Sequence, residues 1–176
     1  GAVCYEPENH ETMVRLRAGR TLARGGQIGA PFELAAHTAA VPFNDIAALE
    51  QALTARDIAC VLAEPVMTNV GMVLPEPGFL QALRRLTHAA GTLLAIDETH
   101  TLSSGLGGYA RQQGLAADFL VCGKAVAGGV PCAVYGFTAE VEAALRRVWR
   151  ERARGHSGLG TTLSANVILP GPADAG

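Results

Sequence analysis

The sequence predicts an α/β fold, a three-layer sandwich in which helices cover both faces of a mostly parallel sheet. Helical patterns alternate with short continuous apolar runs, and glycine or proline marks many of the boundaries between them. Continuous apolar strands are typical of parallel sheets that are buried on both faces. Hydrophobic residues make up 49% of the 176 residues, which is sufficient for one domain with its own core.

The first clear elements follow Asn44. This residue is expected to cap a helix over 45–53, in which apolar residues recur at helical spacing. A short strand is expected over 59–63, ending before a proline that stops strand pairing. A second helix is expected over 77–90 and is closed by Gly91. Its apolar stripe consists of Phe79, Leu80, Leu83 and Leu86.

The second half of the chain continues the alternation. A strand over 92–96 precedes a glycine-rich loop over 103–108. Two further strands are expected over 119–122 and 132–137, and Thr138 is expected to cap a helix that runs to about residue 152. Because these two strands follow each other closely, this part of the sheet is expected to be mixed rather than purely parallel.

Three polar side chains stand at the exits of predicted strands: Glu64, Asp97 and Lys124. In open α/β sheets ligands bind outside the carboxyl ends of the strands, so these groups are expected to converge on one edge. A carboxylate and an amine at neighbouring exits are what an enzyme that holds pyridoxal phosphate needs. The lysine forms the Schiff base, and the carboxylate keeps the pyridine nitrogen protonated.

Asp97 has two other interpretations. Asp97-Glu98 after apolar residues also resembles the magnesium-binding strand of a P-loop NTPase, which requires an upstream G-x-x-x-x-G-K-[ST] motif. The chain has one Gly-Lys pair, Gly123-Lys124, which lies downstream and is followed by Ala125. This disfavours the NTPase. The other interpretation is that Asp97 merely caps the turn that follows it.

Lys124 taken alone would be interpreted as a surface residue. Apolar or small residues surround it on both sides, Val121-Cys122 before it and 125–129 after it. Such neighbours predict a desolvated amine, which suits a Schiff-base nucleophile. The nearby glycines would let the backbone pass close to a planar cofactor.

Charge and hydropathy disfavour two classes of partner. The net charge is −2, and the arginines from Arg146 to Arg154 are interleaved with glutamates. A solvated helix face explains this pattern better than a nucleic-acid surface. No apolar run approaches the roughly 18 residues of a membrane span. The loop over 103–108 could cradle phosphate, but it does not open a convincing helix, so it is weak evidence for such a site.

The cysteines and histidines do not indicate a metal site. No C-x-x-C pair is present, and the histidines are scattered without ligand spacing. Free thiols in a reducing cytoplasm are expected rather than disulfides. The cysteines are Cys4, Cys60, Cys122 and Cys132.

Four motifs, taken together, carry a resemblance to a known family. They are 64–69 (EPVMTN), 97–99 (DET), 123–131 (GKAVAGGVP) and 160–166 (GTTLSAN). In order and spacing the chain resembles the class III aminotransferases, which are fold-type I pyridoxal-phosphate enzymes and include glutamate-1-semialdehyde aminomutase. The resemblance runs from about Gly26 to Asn166, and 27 positions (124 − 97) separate the carboxylate from the lysine.

The resemblance implies a role for each matching residue. Lys124 matches the lysine that forms the Schiff base, and Asp97 matches the carboxylate on the pyridinium nitrogen. Asn69 falls where the family places a polar side chain near the ring oxygen and the substrate. Thr162 matches the threonine that reaches the cofactor phosphate of the neighbouring subunit, which implies a homodimer. Glu64 matches an acidic residue with a supporting role.

The chain departs from the family pattern at several positions. Thr99 replaces the common valine that packs on the ring face, although its methyl group can take the same place. His100 follows it and is expected either to touch substrate or to be a hydrogen-bonded loop histidine. The last motif usually continues with Asn-Pro, whereas here Asn166 is followed by Val167.

Several parts of the family's enzyme are not recognisable in the sequence. These are the upstream phosphate-binding loop of Ser-Gly-Thr-Glu-Ala type, the aromatic residue that stacks on the ring, and the C-terminal small domain. Residues 1–176 are therefore expected to be the central part of a large domain, with an ordered core over about 26–166. Such a fragment is not expected to be active alone.

Three functions remain open from the sequence. The first is transamination between an amino acid or amine donor and a keto or aldehyde acceptor. The second is a 2,1-aminomutase reaction of the glutamate-1-semialdehyde type, which moves the amino group within one molecule. The third is an inactive fragment or interaction module.

Overall fold

The computed structural model describes residues 14–17, 20–23, 38–129 and 132–151. The first strands, β1 (Val14–Arg17) and β2 (Arg20–Ala23), pair antiparallel in a sheet of their own. The elements that follow are α1 (Ile46–Leu53), β3 (Cys60–Ala63), α2 (Phe79–Ala90), β4 (Leu93–Asp97), α3 (Gly108–Gln112), β5 (Phe119–Cys122), β6 (Val134–Phe137) and α4 (Ala139–Glu151).

The second sheet has the strand order β3-β4-β5-β6. Strands β3, β4 and β5 are parallel, with Ala63 opposite Ile96 and Asp97 opposite Val121. Strand β6 returns antiparallel to β5. The predicted α/β fold with a mostly parallel, partly mixed sheet is thereby confirmed, and the observed strands begin or end within a few residues of the predicted ones.

The core lies between the sheet and the helices α1 and α2. All four residues of the predicted α2 stripe are buried, and they pack with Leu94 and Ile96 of β4, both of which are fully buried. Burying each such side chain contributes roughly 1.5–3 kcal/mol. Helix α2 ends at Gly91, whose φ of 74° is left-handed, so the predicted closure at this glycine is confirmed.

The cap of α1 differs from the prediction. Asp45, not Asn44, caps the helix, and its side chain accepts a hydrogen bond from the Ala48 N–H at 2.8 Å. Asn44 has a φ of 70°, and its amide donates to the Leu74 carbonyl and accepts from the Glu76 N–H. The amide carries both a donor and an acceptor, so it satisfies two backbone groups of a distant loop that a local sequence pattern does not reveal.

An ion pair connects α2 to the start of β5. The Asp118 carboxylate accepts hydrogen bonds from Arg84 at 2.7 and 3.2 Å and from the Leu94 N–H at 2.7 Å. Burial alone would raise the pKa of Asp118, but the bonds from Arg84 and Leu94 outweigh it and lower the pKa. The carboxylate therefore holds β4 and β5 in register from the end opposite the strand exits.

One face of the sheet is partly open within the described residues. Leu62 and Leu93 are 40% and 38% exposed there.

Within the described residues, no helix combines the length and the apolar character needed to cross a membrane.

Candidate active site at the strand exits

Three predicted polar residues lie at one edge of the sheet. Glu64 directly follows β3, Asp97 is the last residue of β4, and Lys124 lies two residues beyond β5. Because these strands are parallel neighbours, their carboxyl ends share an edge. Glu64, Asp97 and Asn69 line a cavity of about 550 Å³, and most of its other walls come from residues 39–43, α1 and β3.

The backbone of Lys124 is strained. Its φ of 45° lies in the left-handed region, and the residue begins a short 3₁₀ turn, Lys124–Ala127. For a residue with a side chain this conformation costs about 1–2 kcal/mol, and such strain is concentrated at functional sites. The Lys124 side chain is exposed, so the desolvated surroundings predicted from its neighbours are not found among the described residues.

Thr99 holds the turn that presents Lys124. The Thr99 hydroxyl accepts a hydrogen bond from the buried Gly123 N–H at 3.1 Å. The Thr99 N–H in turn donates to Asp97 Oδ1 at 2.8 Å. Asp97 therefore does cap the turn after β4, as the alternative interpretation predicted, and this bond also fixes the orientation of its carboxylate. Thr99 thus joins the exits of β4 and β5.

His100 links two of these exits through side chains. Its Nε2 atom is hydrogen-bonded to Lys124 Nζ, and its Nδ1 atom to Thr68 Oγ1. Thr68 donates to Glu64 Oε2 at 2.6 Å, and the same oxygen lies 3.9 Å from His100 Nδ1. The expectation of a hydrogen-bonded loop histidine is confirmed. The sequence did not predict its partners, since Thr68 lies 32 residues away.

Glu98 is a buried structural carboxylate that the sequence analysis did not single out. Its side chain is fully buried, and it bonds to the Thr101 hydroxyl and to the backbone N–H groups of Tyr109 (3.2 Å) and Ala110 (2.5 Å). A Cβ atom on Gly108 would lie 2.9 Å from Glu98 Cδ. The glycine-rich loop therefore packs around this carboxylate and leads into the short helix α3.

The other predicted site residues are placed as follows. Asn69 is exposed on the loop after β3, at the mouth of the cavity. Thr162 lies outside the described residues, as does Cys4.

The described cysteines are free thiols. Of these, Cys122 is buried, whereas Cys60 and Cys132 are half-buried. Burial raises the pKa of Cys60 and of Cys122, and the charges of Glu98 and Asp97 raise that of Cys122 further. These two thiols are therefore held in the protonated form. Within the described part of the chain, no group of three or more His, Cys, Asp or Glu residues could hold a metal ion.

The donor set at this edge fits a cofactor with a cationic ring nitrogen and a carbonyl group. A carboxylate at one exit and a primary amine at the next supply the complementary chemistry. The fold and site define a cofactor-dependent α/β enzyme.

A model of the family "Aminotransferase class-III" matches residues 12–169. The chain belongs to this family of enzymes, and the cofactor of the family is pyridoxal phosphate. The resemblance, the enzyme class and the cofactor predicted from the motifs are thereby confirmed.

Curated relatives include glutamate-1-semialdehyde 2,1-aminomutases. That of Acidobacterium capsulatum is 37% identical over 142 residues, covering 78% of this chain and 33% of the relative. That of Roseiflexus castenholzii is 39% identical over 139 residues, covering 77% and 32%. The chain thus spans about a third of the length of these relatives.

Solved structures show the same fold. A glutamate-1-semialdehyde-aminomutase from Pseudomonas aeruginosa PAO1 is 43% identical, with a TM-score of 0.69, over 90% of this chain and 36% of that one. A variant of that enzyme, solved in complex with PMP, has a TM-score of 0.67, with the same identity and coverage. A β-phenylalanine aminotransferase from Variovorax paradoxus is 33% identical, with a TM-score of 0.56, over 58% and 24%. The predicted fold-type I architecture is confirmed.

Proposed function

We propose that Lys124 is the covalent attachment point of pyridoxal phosphate and that Asp97 is the counter-charge to its ring nitrogen. The observation that carries this assignment is their placement at the exits of the neighbouring parallel strands β4 and β5. A second observation supports it: Lys124 is the one lysine among the 176 residues. No other side chain of this chain offers a primary amine.

The remaining residues take supporting roles in this proposal. Asn69, at the cavity mouth, approaches the ring oxygen and the substrate. Thr99 presents its methyl group to the ring while its hydroxyl holds Gly123. Thr162 contacts the cofactor phosphate of the partner subunit, so the enzyme is a homodimer. Glu64 supports the site from the exit of β3.

We propose the 2,1-aminomutase reaction in preference to transamination, which the sequence analysis had placed first. The relatives named glutamate-1-semialdehyde 2,1-aminomutase support this choice. Transamination with an external acceptor is the second candidate, and the likeness to a β-phenylalanine aminotransferase favours it.

In this proposal the cofactor, Asp97 and Lys124 each have a different role in the reaction. Pyridoxal phosphate, when bound, supplies an electron sink for the charge that develops on the substrate carbon. Asp97 favours the protonated ring nitrogen because it places a negative charge beside it. The Nζ atom of Lys124 accepts a proton from the carbon that bears the amino group and later returns one, acting as general base and then as general acid.

We propose that residues 1–176 form the central part of the large domain, with the phosphate-binding loop and the small domain supplied by the rest of the enzyme. The coverage of about a third of the relatives' length supports this. We also place the enzyme in the cytoplasm, where thiols such as Cys60 and Cys122 stay reduced.

Borohydride reduction followed by peptide mapping tests the attachment point. The full-length protein is incubated with pyridoxal phosphate, reduced and digested. We expect the label on the peptide that contains Lys124, and we expect it to disappear in Lys124→Ala. A label that persists in Lys124→Ala, or that maps to another part of the protein, overturns the assignment.

The reaction is tested with glutamate-1-semialdehyde and no external keto acceptor. An aminomutase turns over this substrate without an added acceptor because the amino group stays within the molecule. Turnover that needs an added acceptor identifies a transaminase instead. A full-length protein that binds pyridoxal phosphate at Lys124 but catalyses neither reaction supports the third function, an inactive or interaction module.

A further inference from the structure

A chain of hydrogen-bonded side chains leads away from the amine of Lys124. It runs from Lys124 Nζ to the His100 ring, then to the Thr68 hydroxyl, and ends on the Glu64 carboxylate. We call His100, Thr68 and Glu64 the relay. Glu64 and Thr68 lie in the loop after β3 and His100 lies in the loop after β4, so the fold, not the local sequence, assembles them.

The direction of the bonds fixes the protonation of the histidine ring. The Thr68 hydroxyl has one proton, and it donates that proton to Glu64 Oε2 at 2.6 Å. Thr68 can therefore only accept from His100 Nδ1, so Nδ1 carries the ring proton. In the neutral ring the other nitrogen, Nε2, then has a bare lone pair. That lone pair is the one bonded to Lys124 Nζ.

The charges around the ring support a transferred proton. Glu64 is the carboxylate that faces the ring, with Oε2 at 3.9 Å from Nδ1. The two acidic neighbours in sequence are engaged elsewhere: Asp97 accepts from the Thr99 N–H, and Glu98 is bonded to Thr101 and to the start of α3. Glu64 is therefore the carboxylate that faces the His100 ring across the Thr68 hydroxyl.

We propose that His100 is the proton acceptor for Lys124, and that Thr68 and Glu64 are positioning residues that hold His100 in the required tautomer. An N–H bond of the Lys124 ammonium breaks, its electron pair stays on Nζ, and the proton binds at His100 Nε2. The amine is then nucleophilic, and the proton returns when Lys124 is again charged. This inference rests on the proposed role of Lys124, and it assigns to His100 a function beyond a structural loop contact.

The first test is the tautomer of His100 in the cofactor-free, full-length protein. Ring nitrogens labelled with ¹⁵N are observed by long-range ¹H–¹⁵N NMR, and the His100 signals are those lost in His100→Gln. We expect an Nδ1–H, Nε2-unprotonated ring. In Thr68→Val, which keeps the shape of the side chain but lacks the hydroxyl, the ring should shift toward the Nε2–H form. An Nε2–H ring in the unmodified protein overturns the proposal.

The second test measures the reactivity of the Lys124 amine directly. Cofactor-free protein is acetylated at one fixed pH, and modification of Lys124 is followed by mass spectrometry. In His100→Gln the amide oxygen still accepts a hydrogen bond from Nζ but cannot take up a proton. We expect acetylation to be at least about tenfold slower, because no imidazole is present to accept the proton that the amine releases on acylation. An unchanged or faster rate contradicts the proposal.

His88→Gln is the matched control. It makes the same change on an exposed position of α2, away from the relay, and should leave the acetylation rate of Lys124 unaltered. The two proposals also fail separately. If the borohydride label maps to Lys124 but His100 has the wrong tautomer, the relay is wrong and the attachment point stands. If the label maps elsewhere, the attachment point is wrong whatever the tautomer.

Discussion

Hydrogen bonds from neighbouring residues, rather than burial, fix the position of Lys124. Its side chain is exposed and its backbone has a φ of 45°. The preceding Gly123 is buried and bonded to Thr99, so the backbone direction is set before the lysine begins. His100 then holds the amine from the other side. Strain of about 1–2 kcal/mol is thus maintained by contacts from a neighbouring strand exit.

At the same scale, the charge of Asp97 can be separated from its hydrogen bond. In Asp97→Asn, Oδ1 still accepts from the Thr99 N–H, so the turn after β4 is retained. The negative charge that is proposed to lie beside the ring nitrogen is lost, and we expect pyridoxal phosphate to bind about ten- to a hundredfold more weakly. Fluorescence titration of the full-length protein measures this, and chemical denaturation should show little change in stability. Unaltered cofactor affinity would contradict the role of Asp97.

Gly108 illustrates a backbone requirement imposed by a buried charge. Its φ is 80°, and an added Cβ atom would lie 2.9 Å from Glu98 Cδ, whereas Gly114, with a φ of 63°, has nothing within 4 Å. Gly114→Ala should therefore lower the free energy of unfolding by about 1 kcal/mol, from backbone strain alone. Gly108→Ala should cost about 3 kcal/mol, because it also displaces Glu98. Denaturant unfolding of both variants provides the comparison, and equal losses would show that Glu98 moves aside freely.

At the level of elements, the sequence predicted what depends on periodicity and missed what depends on distant side chains. The stripe of α2 and the strand exits followed from local patterns, because burial on one face is encoded by spacing. The cap of α1 was misassigned because Asn44 bonds to a loop 30 residues away. The partners of His100 were missed for the same reason, although a histidine three residues past the end of β4 was a visible signal.

The Asp118–Arg84 pair makes the α2–β5 connection dependent on pH. The pKa of Asp118 is lowered in the folded protein. The carboxylate therefore stabilises the fold above its unfolded pKa of about 3.9, and this stabilisation is lost as the pH falls through the lower folded pKa. Asp118→Asn should lower the free energy of unfolding by about 2 kcal/mol at pH 7. The difference in free energy of unfolding between Asp118→Asn and the unmodified protein should become smaller below about pH 4.

The control for this pair is Glu142→Gln on α4. Glu142 and Arg146 form an ion pair at 2.5 Å, but their side chains are 45% and 66% exposed. Solvent screens such a pair, and the substitution should change stability by less than about 0.5 kcal/mol. Urea unfolding between pH 3 and pH 7 measures both variants. A Glu142→Gln effect as large as that of Asp118→Asn would show that burial does not distinguish the two pairs.

At the scale of the whole molecule, the proposed site draws on two subunits. Lys124, Asp97 and the relay lie at neighbouring strand exits, whereas Thr162 is proposed to act across a dimer interface. Next to the site, the loop after β3 carries four exposed apolar side chains. Their exposed fractions are 66% for Val70, 76% for Met72, 37% for Val73 and 60% for Leu74. Such a patch is typical of an interaction surface, which is consistent with the proposed homodimer.

A charge placed in this loop tests whether it belongs to the dimer interface. In Met72→Glu a carboxylate would be buried against the partner subunit without a counter-charge, and we expect the dimer to dissociate at least about tenfold more readily. Ile46→Glu is the matched control: Ile46 is also exposed, at 37%, but it lies in the first turn of α1, where a negative charge is tolerated. Sedimentation equilibrium of the full-length proteins separates the outcomes. A dimer that is equally stable in both variants places the interface elsewhere, and an unmodified protein that is monomeric with pyridoxal phosphate bound removes the role proposed for Thr162.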